Sequence, residues 1–221
     1  MQQTENKIVN WVENGDADVA FRCSDTKPNV FLIGDSIRRG YCATVKNAMR
    51  DVAEVFYPDT NCRSSQYIIF SLRAWKNSFD RPEKVDLIQF NCGHWDAAHW
   101  CHHPLPLTSP EEYKKNLQII VDLLHGFFPN ARLVLATTTP MNPDGGDVGG
   151  GNPRTNADLD LYNRIAVEIA EKNGIPVNDL NGFMRSWGSE CFKDTCHLTP
   201  EAFARLGEEV ARVLAEKLGE S

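Results

Sequence analysis

Val30-Phe31-Leu32-Ile33-Gly34-Asp35-Ser36-Ile37 is a short apolar run that stops at a glycine and passes at once into a stretch of helical period. A run this short, bounded by a turn residue, reads as a strand buried on both faces. Four similar runs follow, at 52–57, 85–90, 133–136 and 175–177. Helical periods lie between them: Tyr113, Leu117, Ile120, Val121 and Leu124 share one face, Leu161, Tyr162, Ile165 and Ile169 another, and Phe203, Leu206, Val210, Val213 and Leu214 a third. Ser109-Pro110-Glu111-Glu112 is a capping box with proline at the first helical position, and Thr199-Pro200-Glu201 repeats the cap-then-proline order. Strands alternating with helices predict an α/β protein, a parallel sheet covered on both faces. Five strands favour a three-layer α/β/α flavodoxin-like sandwich of order 2-1-3-4-5, whose ligands bind beside the loops after the first and third strands. Chemistry is therefore expected after Ile33 and after Phe90.

The 221 residues favour one domain, and 42% hydrophobic with 24% charged side chains suffices for a real core. Thirty acidic against 23 basic side chains give a net charge of -7, which argues against nucleic-acid and anionic-membrane partners. No run approaches the length of a membrane span, and Met1 to Lys7 shows no export pattern. The expectation is a cytoplasmic protein, although a trimmed leader would leave the same sequence. Seven cysteines, at 23, 42, 62, 92, 101, 191 and 196, with no Cys-x-x-Cys pair, fit reduced thiols. The Gly/Pro/Asn-rich stretch 141–156 reads as solvated slack or as a mobile rim.

Gly34-Asp35-Ser36-Ile37 by itself is equally a turn whose Asp or Ser caps a helix. Asp194-Thr195-Cys196-His197, after the fifth strand, adds a second element. An Asp three residues before a His can accept the Nδ1 proton and leave Nε2 free to take a proton from a hydroxyl. Both loops open at the carboxyl edge of the sheet, so Ser36, Asp194 and His197 form a candidate Ser-His-Asp triad.

These two blocks resemble those of the SGNH (GDSL-type) esterases and lipases, in which Gly-Asp-Ser carries the nucleophile and Asp-x-x-His the base. The resemblance covers about residues 30–214 and makes 29–221 the hydrolase domain, with 1–28 an N-terminal extension. It implies ester hydrolysis without metal or other cofactor, with small-molecule or oligosaccharide esters as substrates. The middle blocks depart from the family. Where Gly-x-Asn-Asp is expected, the chain has Gly93-His94-Trp95-Asp96, so Trp95 replaces the oxyanion-donating Asn. Asn91 is the substitute donor beside the backbone N–H of Ser36. The glycine expected after the second strand is missing from Asn61-Cys62-Arg63-Ser64-Ser65-Gln66. Each oxyanion donor is worth about 3–4 kcal/mol, so such changes rearrange the site without abolishing chemistry.

Phe90-Asn91-Cys92-Gly93-His94-Trp95 is similar to a stretch of plant polysaccharide O-acetyltransferases and to bacterial SGNH esterases acting on acetylated carbohydrates, which points to acetyl groups on sugars. Trp95 is the candidate substrate-binding residue, with Trp100 as a second stacking surface; packing is the plain alternative. His94, Asp96, His99, Cys101, His102 and His103 crowd one loop, yet no paired motif supports a metal, and the expectation is a polar rim. Arg154 reads as a solvated loop arginine with a substrate carboxylate as the alternative. The rivals are an O-acetyltransferase using the same triad and a non-enzymatic flavodoxin-like binding module. The module is disfavoured because Asp35 would set a carboxylate beside any phosphate at that turn.

Overall fold

Strand β1 (Asn29–Ile33) is buried at every position, and its alternating side chains feed two cores. Val30 and Leu32 enter one, Phe31 and Ile33 the other. The same division runs through β2 (Glu54–Phe56), β3 (Val85–Phe90), β4 (Arg132–Ala136) and the short β5 (Val177–Asn178). The computed structural model describes residues 20–145 and 151–220, and in it these strands form one all-parallel sheet of order β2-β1-β3-β4-β5. Helices α2 (Ser65–Asn77), α3 (Pro110–Phe127) and α4 (Asn156–Lys172) cover the Phe31 face. Helices α1 (Ser36–Ala48), α5 (Leu180–Met184) and α6 (Pro200–Gly219) cover the Val30 face. The expected three-layer α/β/α sandwich is the fold observed.

Both expected caps are present. Ser109 and Glu112 form the reciprocal box at the start of α3, and Thr199 accepts from Ala202 N at 3.3 Å ahead of α6. The main departures from expectation are two strand starts and one helix face. Val52 is not in β2: its N–H bonds Met49 O at 2.8 Å in the turn that ends α1. β5 starts at Val177 rather than at 175, because Gly174 closes α4 with φ +66° and Pro176 has no N–H for a ladder. On α4 the buried face is Leu159, Tyr162, Asn163, Ala166, Ile169 and Ala170, and Leu161 is exposed. Asn163 turns this face inward, accepting from Thr138 N at 2.7 Å and donating to Thr138 O at 2.8 Å.

Residues 1–19 of the expected N-terminal extension lie outside the described residues, as do 146–150 of the Gly-rich loop. The end of that extension packs into the domain. Phe21 is buried among Phe31, Phe56 and Phe79, with ring centroids 4.9 to 6.2 Å away. Among the described residues no helix is long and apolar enough to cross a membrane.

The register sets up the site. Ile33 pairs with Phe90, so the loops after β1 and β3 leave the sheet side by side, and Asn91 N bonds Ile33 O at 3.1 Å.

Candidate active site

The turn after β1 is built by buried polar groups. Asp35 is fully buried and caps α1, its Oδ1 accepting from Ile37 N at 2.9 Å. Burial pushes its carboxyl up, against the Ile37 hydrogen bond and the positive charges of Arg154 and Arg38. Ser36 follows as the first residue of α1, where a backbone N–H has no intrahelical acceptor. Only glycine fits at 34: a Cβ there would lie 2.1 Å from Asn91 Oδ1 and 2.7 Å from Arg38 Cβ.

The second element is a tight turn between β5 and α6. Phe192 and Leu198 bridge antiparallel, and Lys193 N bonds His197 O at 2.8 Å. Within it Asp194 Oδ1 accepts from Cys196 N at 2.9 Å and His197 N at 2.8 Å. Its Oδ2 takes the Nδ1 proton of His197 at 2.9 Å. With Nδ1 as donor, Nε2 carries the lone pair and accepts from Ser36 Oγ at 2.8 Å. Partial burial works to raise the Asp194 carboxyl, but the Cys196 and His197 N–H bonds win and hold it below the usual range. The Cys196 sulfur, 3.8 Å from Nδ1, raises the His197 imidazole to about 9; partial burial opposes it and Asp194 assists.

The third element is the loop after β3. The Asn91 carboxamide is nearly buried against Gly34, and no described residue takes a hydrogen bond from it. Gly93 adopts φ +149°, and a Cβ on it would strike Thr138 Oγ1 at 2.3 Å. His94 is buried between Thr139 Oγ1, 3.2 Å from Nε2, and Arg154 Nε, 3.1 Å from Nδ1. Burial, and then the Arg154 charge, hold its imidazole far below its ordinary value, so it is neutral. Asp96 is buried on Ser65, accepting from Ser65 N at 3.0 Å and Ser65 Oγ at 2.6 Å, and burial pushes it up to about 6. Trp95 is half-buried and stacks on Trp100 with centroids 5.0 Å apart. Arg63 lies over Trp95 at 5.8 Å and over Tyr67 at 4.9 Å.

Ser36, Asp194 and His197 are thus brought into one hydrogen-bonded chain, with Asn91 beside the serine turn and Trp95 on the adjoining loop. The loop lacking the expected glycine has Arg63 in left-handed conformation, φ +51°, a conformation that favours glycine. Its N–H is taken by Asn61 Oδ1 at 2.9 Å, and Cys62 N by Gly34 O at 3.1 Å, so neither points at an oxyanion. The crowd of potential metal ligands disperses: His94 and Asp96 are buried on separate partners, while Cys101, His102 and His103 are exposed. Among the described residues the ligand atoms that come within 4.8 Å of one another are those of Asp194, Cys196 and His197, where Nδ1 is already committed to the carboxylate.

One residue departs from its sequence reading, and a second is placed by the structure alone. Arg154 is not a solvated loop arginine; it lies half-buried on His94 and donates from Nη2 to Cys196 Sγ at 3.3 Å. Arg38 is buried at 1% exposure on the same helical face as Tyr41, Cys42 and Val45, and a charge on that apolar face is the sequence signal that marks it.

The family model of GDSL-like lipases and acylhydrolases matches residues 32–205. The GDSL esterase/lipase At5g45920 of Arabidopsis thaliana is 28% identical over 213 residues, 85% of this chain and 86% of that protein. The crystal structure of the acetyl xylan esterase AlAXEase superimposes with a TM-score of 0.68 at 15% identity, covering 84% of this chain and 99% of that one. Est24, a carbohydrate acetylesterase from Sinorhizobium meliloti, gives 0.63 at 16% identity, covering 86% of this chain and 100% of its own. With the family model spanning well over half its length, the chain belongs to the GDSL-like lipase/acylhydrolase family and is a carboxylic ester hydrolase.

Proposed function

We propose that the chain is a serine esterase that removes short acyl groups, acetyl above all, from carbohydrates. The observation that carries the reading is the continuous chain from Ser36 Oγ through His197 to Asp194, with links of 2.8 and 2.9 Å. Ser36 Oγ attacks the ester carbonyl while His197 Nε2 takes its proton. Asp194 holds the tautomer and steadies the imidazolium. The backbone N–H of Ser36 and the Asn91 carboxamide receive the negative charge that develops on the carbonyl oxygen. His197 returns the proton to the leaving sugar hydroxyl, and water, deprotonated by the same nitrogen, releases the acid from Ser36. Support for the acetyl and sugar part comes from AlAXEase and Est24, whose names give acetyl xylan and carbohydrate acetyl esters as their substrates. The exposed Trp100 stacked on Trp95 offers an aromatic face to a sugar ring.

The test is Ser36→Ala, with nitrophenyl esters of increasing chain length and acetylated xylan, mannan and pectin oligosaccharides as substrates. Turnover falls about 10⁴-fold or more with folding intact, and wild-type activity declines as the acyl chain lengthens. Near-normal turnover in Ser36→Ala, or a preference for long acyl chains, would overturn the reading.

A further inference from the structure

Arg154 immediately precedes Thr155, the cap of α4, and three hydrogen bonds fix its guanidinium. Nε donates to His94 Nδ1 at 3.1 Å, Nη1 to Asn152 O at 3.2 Å and Nη2 to Cys196 Sγ at 3.3 Å. A guanidinium carries five N–H groups, so one on each terminal nitrogen is left without an acceptor among the described residues. No carboxylate among those residues forms an ion pair with it. The anchor beneath it is rigid: His94 is buried, must be neutral to accept at Nδ1, and is held from its other side by Thr139. Cys196, the other contact, adjoins His197.

A cation at this position does not assist proton transfer, because positive charge beside a base disfavours the imidazolium that must form. It fits an anion. Arg63, which lies over Trp95 on the adjoining loop, likewise has no ion-pair partner among the described residues. Arg154 acts on the buried Asp35 carboxyl only through space, without an ion pair among the described residues, and Arg63 on the adjoining loop has none, in a chain whose net charge is -7.

We infer that the sugar whose ester is cleaved bears a carboxylate, as in an acetylated uronate, and that Arg154 receives it on its two open N–H groups. This rests on the esterase reading of Ser36 and names its substrate class. A planar fork presented to a carboxylate gives charge-assisted bonds and orients the ring relative to Ser36.

The experiment uses one acetylated methyl galacturonoside in two forms, free carboxylate and carboxymethyl ester, with nitrophenyl acetate as neutral reference. The wild type cleaves the free carboxylate with kcat/KM about 10- to 100-fold higher than the methyl ester, mainly through KM. About 0.5 M salt narrows the gap. Arg154→Gln brings the ratio close to one, and Arg154→Lys, with charge but no fork, keeps part of it. Equal rates on the two forms in the wild type, or an unchanged ratio in Arg154→Gln, overturn the inference. So does an Arg154→Gln variant that loses kcat equally on both forms with KM unmoved, which marks a role in holding His94 and Cys196. Absence of Ser36-dependent hydrolysis of nitrophenyl acetate identifies failure of the esterase reading instead.

Discussion

The Arg38 guanidinium and the Gly34 carbonyl are joined by two hydrogen bonds, from Nε at 3.3 Å and from Nη2 at 3.2 Å. The same side chain donates to Pro58 O at 2.6 Å and Thr60 O at 2.7 Å, so a buried cation ties the loop after β2 to the turn that carries Ser36. Burying a guanidinium without a paired carboxylate is costly, and the return is a fixed arrangement of two loops. Arg38→Met leaves three carbonyls without this donor. It is expected to destabilise the fold by about 3 kcal/mol or more in urea unfolding, and to lower kcat more than it raises KM. Wild-type stability in Arg38→Met would show that water or a rearranged loop satisfies those carbonyls.

Gly93→Ala tests the loop after β3. Its Cβ would meet Thr138 Oγ1 at 2.3 Å, and Thr138 Oγ1 is itself bonded to Cys92 O at 2.9 Å. Strain and a displaced buried hydroxyl together predict a loss of about 2–3 kcal/mol. Gly93→Ala combined with Thr138→Ser, which retains the hydroxyl but drops the methyl, recovers little of it, because the clash is with the oxygen. Full recovery would place the strain on the methyl.

Why some of this is legible without coordinates, and some not, follows from which interactions are local. β3 is readable at both ends because its apolar run is uninterrupted but for Asp86 and Gln89, and the Ser109 and Thr199 caps are readable because their partners lie within one turn. Asp194 and His197 are close in sequence, and the sheet order brings Ser36 to the same edge. Arg38 and Arg154 owe their places to carbonyls, an imidazole and a thiol far along the chain, for which no periodic signal exists. The outward turn of Leu161 has the same origin, since Asn163 bonds Thr138 across 25 residues.

His197 predicts an alkaline profile. Its imidazole is held up to about 9, first by the Cys196 sulfur and then by Asp194, above its ordinary value of about 6.5. The proposed base works only when neutral, so kcat/KM on a neutral ester is expected to rise with pH to its half-maximum at about 9 and to level off only about one pH unit higher. Cys196→Ala shifts that limb downward toward neutrality. A profile already flat above pH 7, with chemistry rate-limiting, would contradict the assignment.

In the proposed mechanism Asn91 holds the oxyanion and Trp95 meets the sugar. Asn91 leaves β3 beside Ile33, and its carboxamide lies against Gly34, one residue from Asp35 and two from Ser36. Trp95 stacks on Trp100 and lies under Arg63, and the proposal sets this aromatic pair against the sugar. Asn91→Ala is therefore expected to lower kcat by about 10²–10³-fold with KM nearly unchanged, because the interaction strengthens as charge develops. Trp95→Phe raises KM for acetylated oligosaccharides and leaves nitrophenyl acetate little affected. Steady-state kinetics on both substrates separates the two roles: a kcat collapse in Trp95→Phe with Asn91→Ala silent would assign the oxyanion donor to the indole N–H.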